Sequence, residues 1–180
     1  MAPVTDQVKQ VLWDKLERVL EAGHHSYSGH AAQQCKLADV LVEGVTQDEH
    51  GELISKRGSK ATTIINIDVD ESMCNIAGNA HGGFLAWLID HTSSTAIFCL
   101  STADRWITSG VSSNINTYYI AAAPVGTRLR VVSTVVQIGR TTATIDVRVE
   151  NRDTDALVCM GTHVKVDTRP APQVKLKMKL

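Results

Sequence analysis

The chain has 180 residues, 43% of them hydrophobic and 21% charged, with a formal net charge of -1. That length suits one domain with a real core, and the composition excludes a wholly disordered chain. The near-neutral balance gives no electrostatic case for nucleic acid, and no run of about 18 apolar residues offers a membrane span. Aromatic residues are scarce, so the core must be built from Val, Ile, Leu and Ala. The four cysteines, Cys35, Cys74, Cys99 and Cys159, are widely spaced. No CxxC or Cys/His ligand pattern joins them, so they read as free thiols of a reducing compartment and not as a metal site. The N-terminus lacks a charged-then-apolar signal. An intracellular protein is expected, with cytoplasm, mitochondrion and peroxisome left open. The final Lys-Met-Lys-Leu shares only its last two residues with a peroxisomal Ser-Lys-Leu signal.

From Val4 to Leu20 the apolar residues Val8, Val11, Leu12, Leu16, Val19 and Leu20 recur at helical spacing. Thr5 or Asp6 caps this helix and Gly23 ends it. Trp13 lies off the stripe, either against another chain or half exposed. His24, His25 and His30 fall in a polar stretch read as a loop. Leu37 to Val45 reads as a strand, Asp48 to Gly51 as a turn, and Ser59 to Asp70 as a β-branched strand. A helix is expected from about Gly82 to Leu100, apolar nearly all round and so buried on most faces. The period then changes to two. Strands are expected over Ile107 to Ile120, Arg128 to Ile138, Thr142 to Asn151 and Leu157 to Val166, joined by short turns into an antiparallel meander. The fold class is therefore α+β, a curved antiparallel sheet around one long helix. An N-terminal helix and loop occupy 1–34, the domain 35–168 and a flexible tail 169–180.

The chemistry concentrates between Asn75 and Asp90. Gly82 and Gly83 are poor helix formers at a helix start. They either permit close helix–sheet packing or leave room for another molecule at the backbone. The first N–H groups of a helix lack internal acceptors and sit at its positive end, so they suit a carbonyl oxygen that gains charge. Asp90 interrupts the apolar run Leu88-Ile89. A buried carboxylate needs a partner: His91, Arg105 or a backbone donor would make it structural, whereas its apolar setting marks it as an active-site group. His81 and Asp90 are nine residues apart, about 180° around the helix and about 13 Å along it. A two-fold dimer brings such groups to shared sites, since each interface carries two copies of every residue. Asn75 and Asn79 either cap the helix or orient a water. Ser112 and Ser113 lie on the following strand, with no Gly-x-Ser-x-Gly elbow to mark a nucleophile.

Asn75-x5-His81-Gly82-Gly83-x6-Asp90 resembles the signature of hotdog-fold acyl-CoA thioesterases, closest to the phenylacetate-pathway and thioesterase superfamily member 2 group. The resemblance runs on through Gly110-Val-Ser112, Asn116-x-x-Tyr119, the Gly126 turn and Gln137-x-Gly139-Arg140-Thr141 to Gly161-x-His163-x-Lys165. It covers roughly residues 60 to 167. It implies a hotdog fold, homodimers and often dimers of dimers, and hydrolysis of acyl-CoA without a metal or cofactor, CoA being part of the substrate. By resemblance Asp90 activates the water or attacks directly. Gly82 N–H polarises the thioester carbonyl, Asn75 and His81 support that end, and Ser112 orients the water. Tyr119 and the Gln137, Gly139, Arg140, Thr141 and Thr142 turn are implied for CoA, with Arg140 on phosphate. A dehydratase or hydrolase of acyl-carrier-protein substrates, and a non-catalytic acyl-CoA binder, are the alternatives. Phe84, Trp87, Leu88 and Trp106 are candidate walls of an acyl tunnel. The sequence fixes neither the acyl chain nor the role of the N-terminal helix, which covers the sheet, caps the tunnel or contacts another dimer.

Overall fold

The computed structural model describes residues 4–102 and 105–168. The expected chain end at Arg169 to Pro172 and the lysine-bearing tail lie outside the described residues. Helix α1 (Asp6–Gly23) buries Val8, Leu12, Leu16 and Leu20, and Thr5 caps it by accepting the Val8 N–H. Trp13 is half-buried against the core. A short helix α2 (Gly29–Gln34) follows. It was not expected, and it carries His30 out of the predicted loop onto Asp70, 2.9 Å away. The strands are β1 (Lys36–Gln47), β2 (Leu53–Asp68), β3 (Val111–Tyr119), β4 (Arg128–Ile138), β5 (Thr142–Asn151) and β6 (Leu157–Val166). A 3₁₀ turn (Glu71–Met73) and helix α3 (Gly82–Phe98) separate β2 from β3.

One antiparallel sheet has the order β1-β2-β4-β5-β6-β3. The hotdog arrangement expected from the sequence is therefore present, with α3 packed against β2, β4, β5, β6 and β3. The expected four-strand meander is corrected. Only β4, β5 and β6 follow one another; β3 pairs with β6 and forms the far edge. Periodicity identifies strands but carries no pairing order. β3 also starts at Val111, not Ile107. Trp106 takes a left-handed φ of 54° and buries its indole completely, which bends the chain before the strand.

Helix α3 buries Leu85, Leu88, Ile89, Ala96 and Ile97 in the sheet. Its buried hydroxyls are satisfied: Thr92 Oγ1 donates to Leu88 O at 2.7 Å, and Thr95 Oγ1 lies 2.7 Å from Thr63 Oγ1. The helix comes close to β6 because Gly161 has no side chain. A Cβ there would stand 2.9 Å from Ile89 Cδ1 and 2.6 Å from Asn116 O. That close approach lowers Asp90, the next residue of α3, onto the β3–β6 edge. No helix among the described residues is long and apolar enough to cross a membrane.

Candidate functional site

His81 starts α3. Its Nδ1 accepts the Gly83 N–H at 2.9 Å, so the histidine is the N-cap and neither Asn75 nor Asn79 fills that role. Asn75 instead closes the preceding loop, its Oδ1 accepting Ala77 N at 2.9 Å and Asn79 N at 3.3 Å. The loop is anchored from both sides, His81 N donating to Met73 O and Ala80 N to Ala123 O, each at 2.8 Å. Tyr119 Oη donates to Gly82 O at 2.9 Å. Its ring stands 3.5 Å from where a Gly82 Cβ would be. No hydrogen bond to the Gly82 N–H forms among the described residues, as expected of the first turn of a helix. That donor stays available at the positive end of α3.

Asp90 is not buried within one chain. Its side chain is 45% exposed, because it faces the unpaired β3 edge. The structural partners considered for it are not used: Arg105 Nη2 donates to Ser55 Oγ, and His91 stacks on Trp87 with ring centroids 4.8 Å apart. Asp90 Oδ1 accepts from Ser112 Oγ at 3.2 Å. Behind the serine lies His163, fully buried, with Nε2 2.9 Å from Ser112 Oγ and Nδ1 2.6 Å from Ser93 Oγ. With Ser112 donating to the carboxylate, its oxygen accepts the N–H of His163 Nε2, and Nδ1 then accepts from Ser93 at 2.6 Å in place of the longer bond from Ser93 Oγ to Asp90 O at 3.1 Å. Burial pushes His163 down to about 4; Lys165 adds to this and Asp90 opposes it. The ring is therefore neutral at pH 7 and serves as a fixed donor. Lys165 is buried beside it with Nζ donating to Ser94 Oγ at 2.8 Å, and burial lowers its pKa against the pull of Asp90.

His163, Ser93 and Lys165 were given no role from sequence. The signal was present in β6. Cys159, Gly161, His163 and Lys165 all face the core on alternate positions, so a histidine and a lysine occupy an inward phase that ought to be apolar. The turn implied for CoA is exposed at Arg140 and Thr141. Gly139 N donates to Thr142 O at 2.7 Å, and Trp106 Nε1 donates to Gly139 O at 3.0 Å. Trp106 thus braces this turn from the core and walls no tunnel; Leu88 is likewise fully buried. Among the described residues no hydrogen bond joins Asn75, His81 or Gly82 to Asp90, or either group to the Gln137–Thr142 turn. One chain presents three separate parts. No group of His, Cys, Asp and Glu able to hold a metal occurs among the described residues.

A family model described as the thioesterase superfamily matches residues 77–158. Acyl-coenzyme A thioesterase 13 of Mus musculus is 30% identical over 102 residues, 57% of this chain and 70% of that protein. The chain belongs to the thioesterase superfamily. Among solved structures, zebrafish thioesterase superfamily member 2 superposes with a TM-score of 0.68 at 23% identity, over 85% of this chain and 96% of that one. A Streptococcus pneumoniae thioesterase protein with coenzyme A gives 0.54 at 24% identity, over 74% and 89%. Within this thioesterase the matched span holds His81, Gly82, Asp90, Ser112 and the Gln137–Thr142 turn, and it ends before His163.

Proposed function

We propose that the protein is an acyl-CoA thioesterase whose two active sites each combine the Gly82 end of one α3 with the Asp90 of a second copy. The observation that carries this reading is the alignment of Gly82, Ala86 and Asp90. Successive steps of four residues put all three along one helix face, the face that meets Tyr119 at one end and Ser112 at the other. Gly82 and Asp90 are about 12 Å apart along the axis, too far for one small reacting group. Ala86 lies midway. A two-fold axis at Ala86 runs two α3 helices antiparallel and sets Gly82 of each copy level with Asp90 of the other. The small alanine lets the helices approach. β3 supports the same axis, since it is an edge strand exposed on most of its length, with Val111, Tyr118 and Tyr119 in the open.

In this arrangement the thioester carbonyl lies at the Gly82 N–H, steadied by the Asn75–His81 loop. A water sits between the carbonyl carbon and Asp90. Ser112 holds the carboxylate orientation, and His163 holds Ser112. Asp90 takes one proton from the water as its oxygen bonds to the carbonyl carbon. The negative charge moves onto the carbonyl oxygen, where the Gly82 N–H and the helix end stabilise it. Collapse of the adduct breaks the carbon–sulfur bond, and the proton passes from Asp90 to the departing thiolate. The CoA phosphates lie along the exposed Gln137–Thr142 turn, with Arg140 as their cation.

The test is release of free CoA thiol from acyl-CoA esters of graded chain length. The wild-type protein hydrolyses at least one class, and Asp90→Asn lowers the rate by about a hundredfold to ten-thousandfold with an unchanged circular dichroism spectrum. Near-normal turnover by Asp90→Asn contradicts the mechanism. Binding of acyl-CoA without any turnover by the wild-type chain contradicts the enzyme.

A further inference from the structure

A groove of about 540 Å³ runs along the side of α3 that carries Gly83, Phe84 and Trp87. One wall is Tyr27 to Ala31, the end of the α1–α2 connection and the start of α2, and the other includes Met73 and Cys74. The wall is tied down through a single carboxylate. His30 Nε2 lies 2.9 Å from Asp70 Oδ2 and Gln34 Nε2 donates to the same oxygen. Asp70 Oδ1 accepts from Ser72 N at 2.8 Å and from Ser72 Oγ at 2.6 Å. Burial works against ionisation of Asp70, but the bonds from Ser72, Gln34 and His30 outweigh it and hold the carboxyl well below the usual range. The tie continues into the cap of α3, because the turn that Asp70 starts ends at Met73, whose carbonyl accepts the His81 N–H. The extension before β1 therefore fixes both the groove and the end of α3 that carries Gly82.

We propose that this groove receives the acyl group of the substrate, and that the Tyr27 to Ala31 wall sets which acyl groups fit. The inference rests on the thioesterase reading above. Two observations choose the acyl group over CoA. The groove adjoins Gly83 and His81, so it begins where a carbonyl held at Gly82 would continue into its acyl chain. Its lining combines aromatic and apolar surface from Tyr27, Phe84, Trp87, Met73 and Ala31 with the polar Ser28, His30, Ser72 and His81, and includes neither lysine nor arginine. Phosphates call for cations, whereas an acyl chain calls for apolar walls. The volume lies within the range of pockets that hold small ligands. Phe84 and Trp87, with ring centroids 6.0 Å apart, form its floor.

Cys74 gives a direct probe. It lines the groove and is half-buried, while Cys35, Cys99 and Cys159 are buried thiols that burial pushes up to about 12. A thiol reagent should label Cys74 selectively, with Cys74→Ser as the control. An acyl-CoA analogue in which a methylene replaces the sulfur should protect Cys74, increasingly with acyl length, and CoA alone should not. Tyr27→Ala, and His30→Ala combined with Gln34→Ala, should each shift the ratio of kcat/KM between bulky and short acyl-CoA esters about tenfold toward the bulky ones. Equal protection by CoA alone overturns the assignment, as does labelling unaffected by an analogue that inhibits hydrolysis. An unchanged ratio in both variants overturns the role of the wall. Absence of hydrolysis by the wild-type protein on every ester is a different result and counts against the thioesterase reading itself.

Discussion

Ser112 Oγ donates to Asp90 Oδ1 at 3.2 Å, joining the edge strand β3 to the middle of α3. The bond leaves one carboxylate oxygen of Asp90 facing outward, where a water can bind. Removing the hydroxyl while keeping the backbone isolates its contribution. Ser112→Ala is expected to lower kcat about tenfold to a hundredfold, with KM little changed, because the hydroxyl is proposed to orient Asp90 and not to bind substrate. Steady-state thiol release measures both constants. A change confined to KM contradicts the role given to Ser112.

His163 Nε2 lies 2.9 Å from the Ser112 hydroxyl and 3.7 Å from the Asp90 carboxylate, so its proposed action on Asp90 passes chiefly through the serine. A residue that works through another should lose its effect once that other is gone. His163→Asn is expected to lower kcat in the wild-type background and to have little further effect on kcat in Ser112→Ala. A double-mutant cycle reads this directly. Independent, additive losses contradict the relay.

Burial holds His163 near 4 in the folded protein, below its ordinary value of 6.5. The unfolded chain therefore binds the extra proton first as pH falls. The stabilisation is complete above 6.5 and is lost through the window from 6.5 down to about 4. By pH 5 the loss amounts to about 2 kcal/mol, from a difference of about 1.5 pH units at 1.36 kcal/mol each. Urea unfolding at pH 7 and pH 5 measures it, with His163→Asn showing a smaller difference. Equal pH dependence in both proteins contradicts the assignment.

The nearest side-chain atoms to a Cβ at Gly82 would be those of Tyr119, at 3.5 Å or more, an ordinary contact. Gly82→Ala is therefore expected to fold and to gain up to about 1 kcal/mol of helix stability. The added methyl group nevertheless stands beside the N–H proposed to hold the carbonyl. Activity should fall by at least about tenfold as the melting temperature rises. Full activity in a stabilised variant contradicts the role of Gly82.

Much of this was legible in the sequence, for reasons that differ by element. α1, β4, β5 and β6 announced themselves through period and turn residues, since each buries one face and local pattern reports burial, and α3 through a long run that is apolar nearly all round. The position of β3 did not, because pairing order is decided by which edge remains free after α3 is covered. Asp90 and Gly82 stood out as a charge in an apolar run and a glycine at a helix start. The partners of Asp90 did not. His91 was nearest in sequence, but its ring turns to stack on Trp87, and Ser112 comes from a strand 22 residues on. His30 and Asp70, 40 residues apart, meet because the unpredicted α2 turns His30 and Gln34 toward the same carboxylate oxygen, which no local pattern reports.

The central claim is that Gly82 and Asp90 serve one site from different copies of the chain. Mixing two impaired variants tests it. Gly82→Ala and Asp90→Asn chains, carrying different tags, are co-expressed in equal amounts and the mixed dimers are compared with each parent. Half of the dimers are mixed, and each of these has one of two sites free of both substitutions, so about a quarter of wild-type thioester hydrolysis should return. If the mixture is no more active than the parents, both residues act within a single chain and the shared site is contradicted.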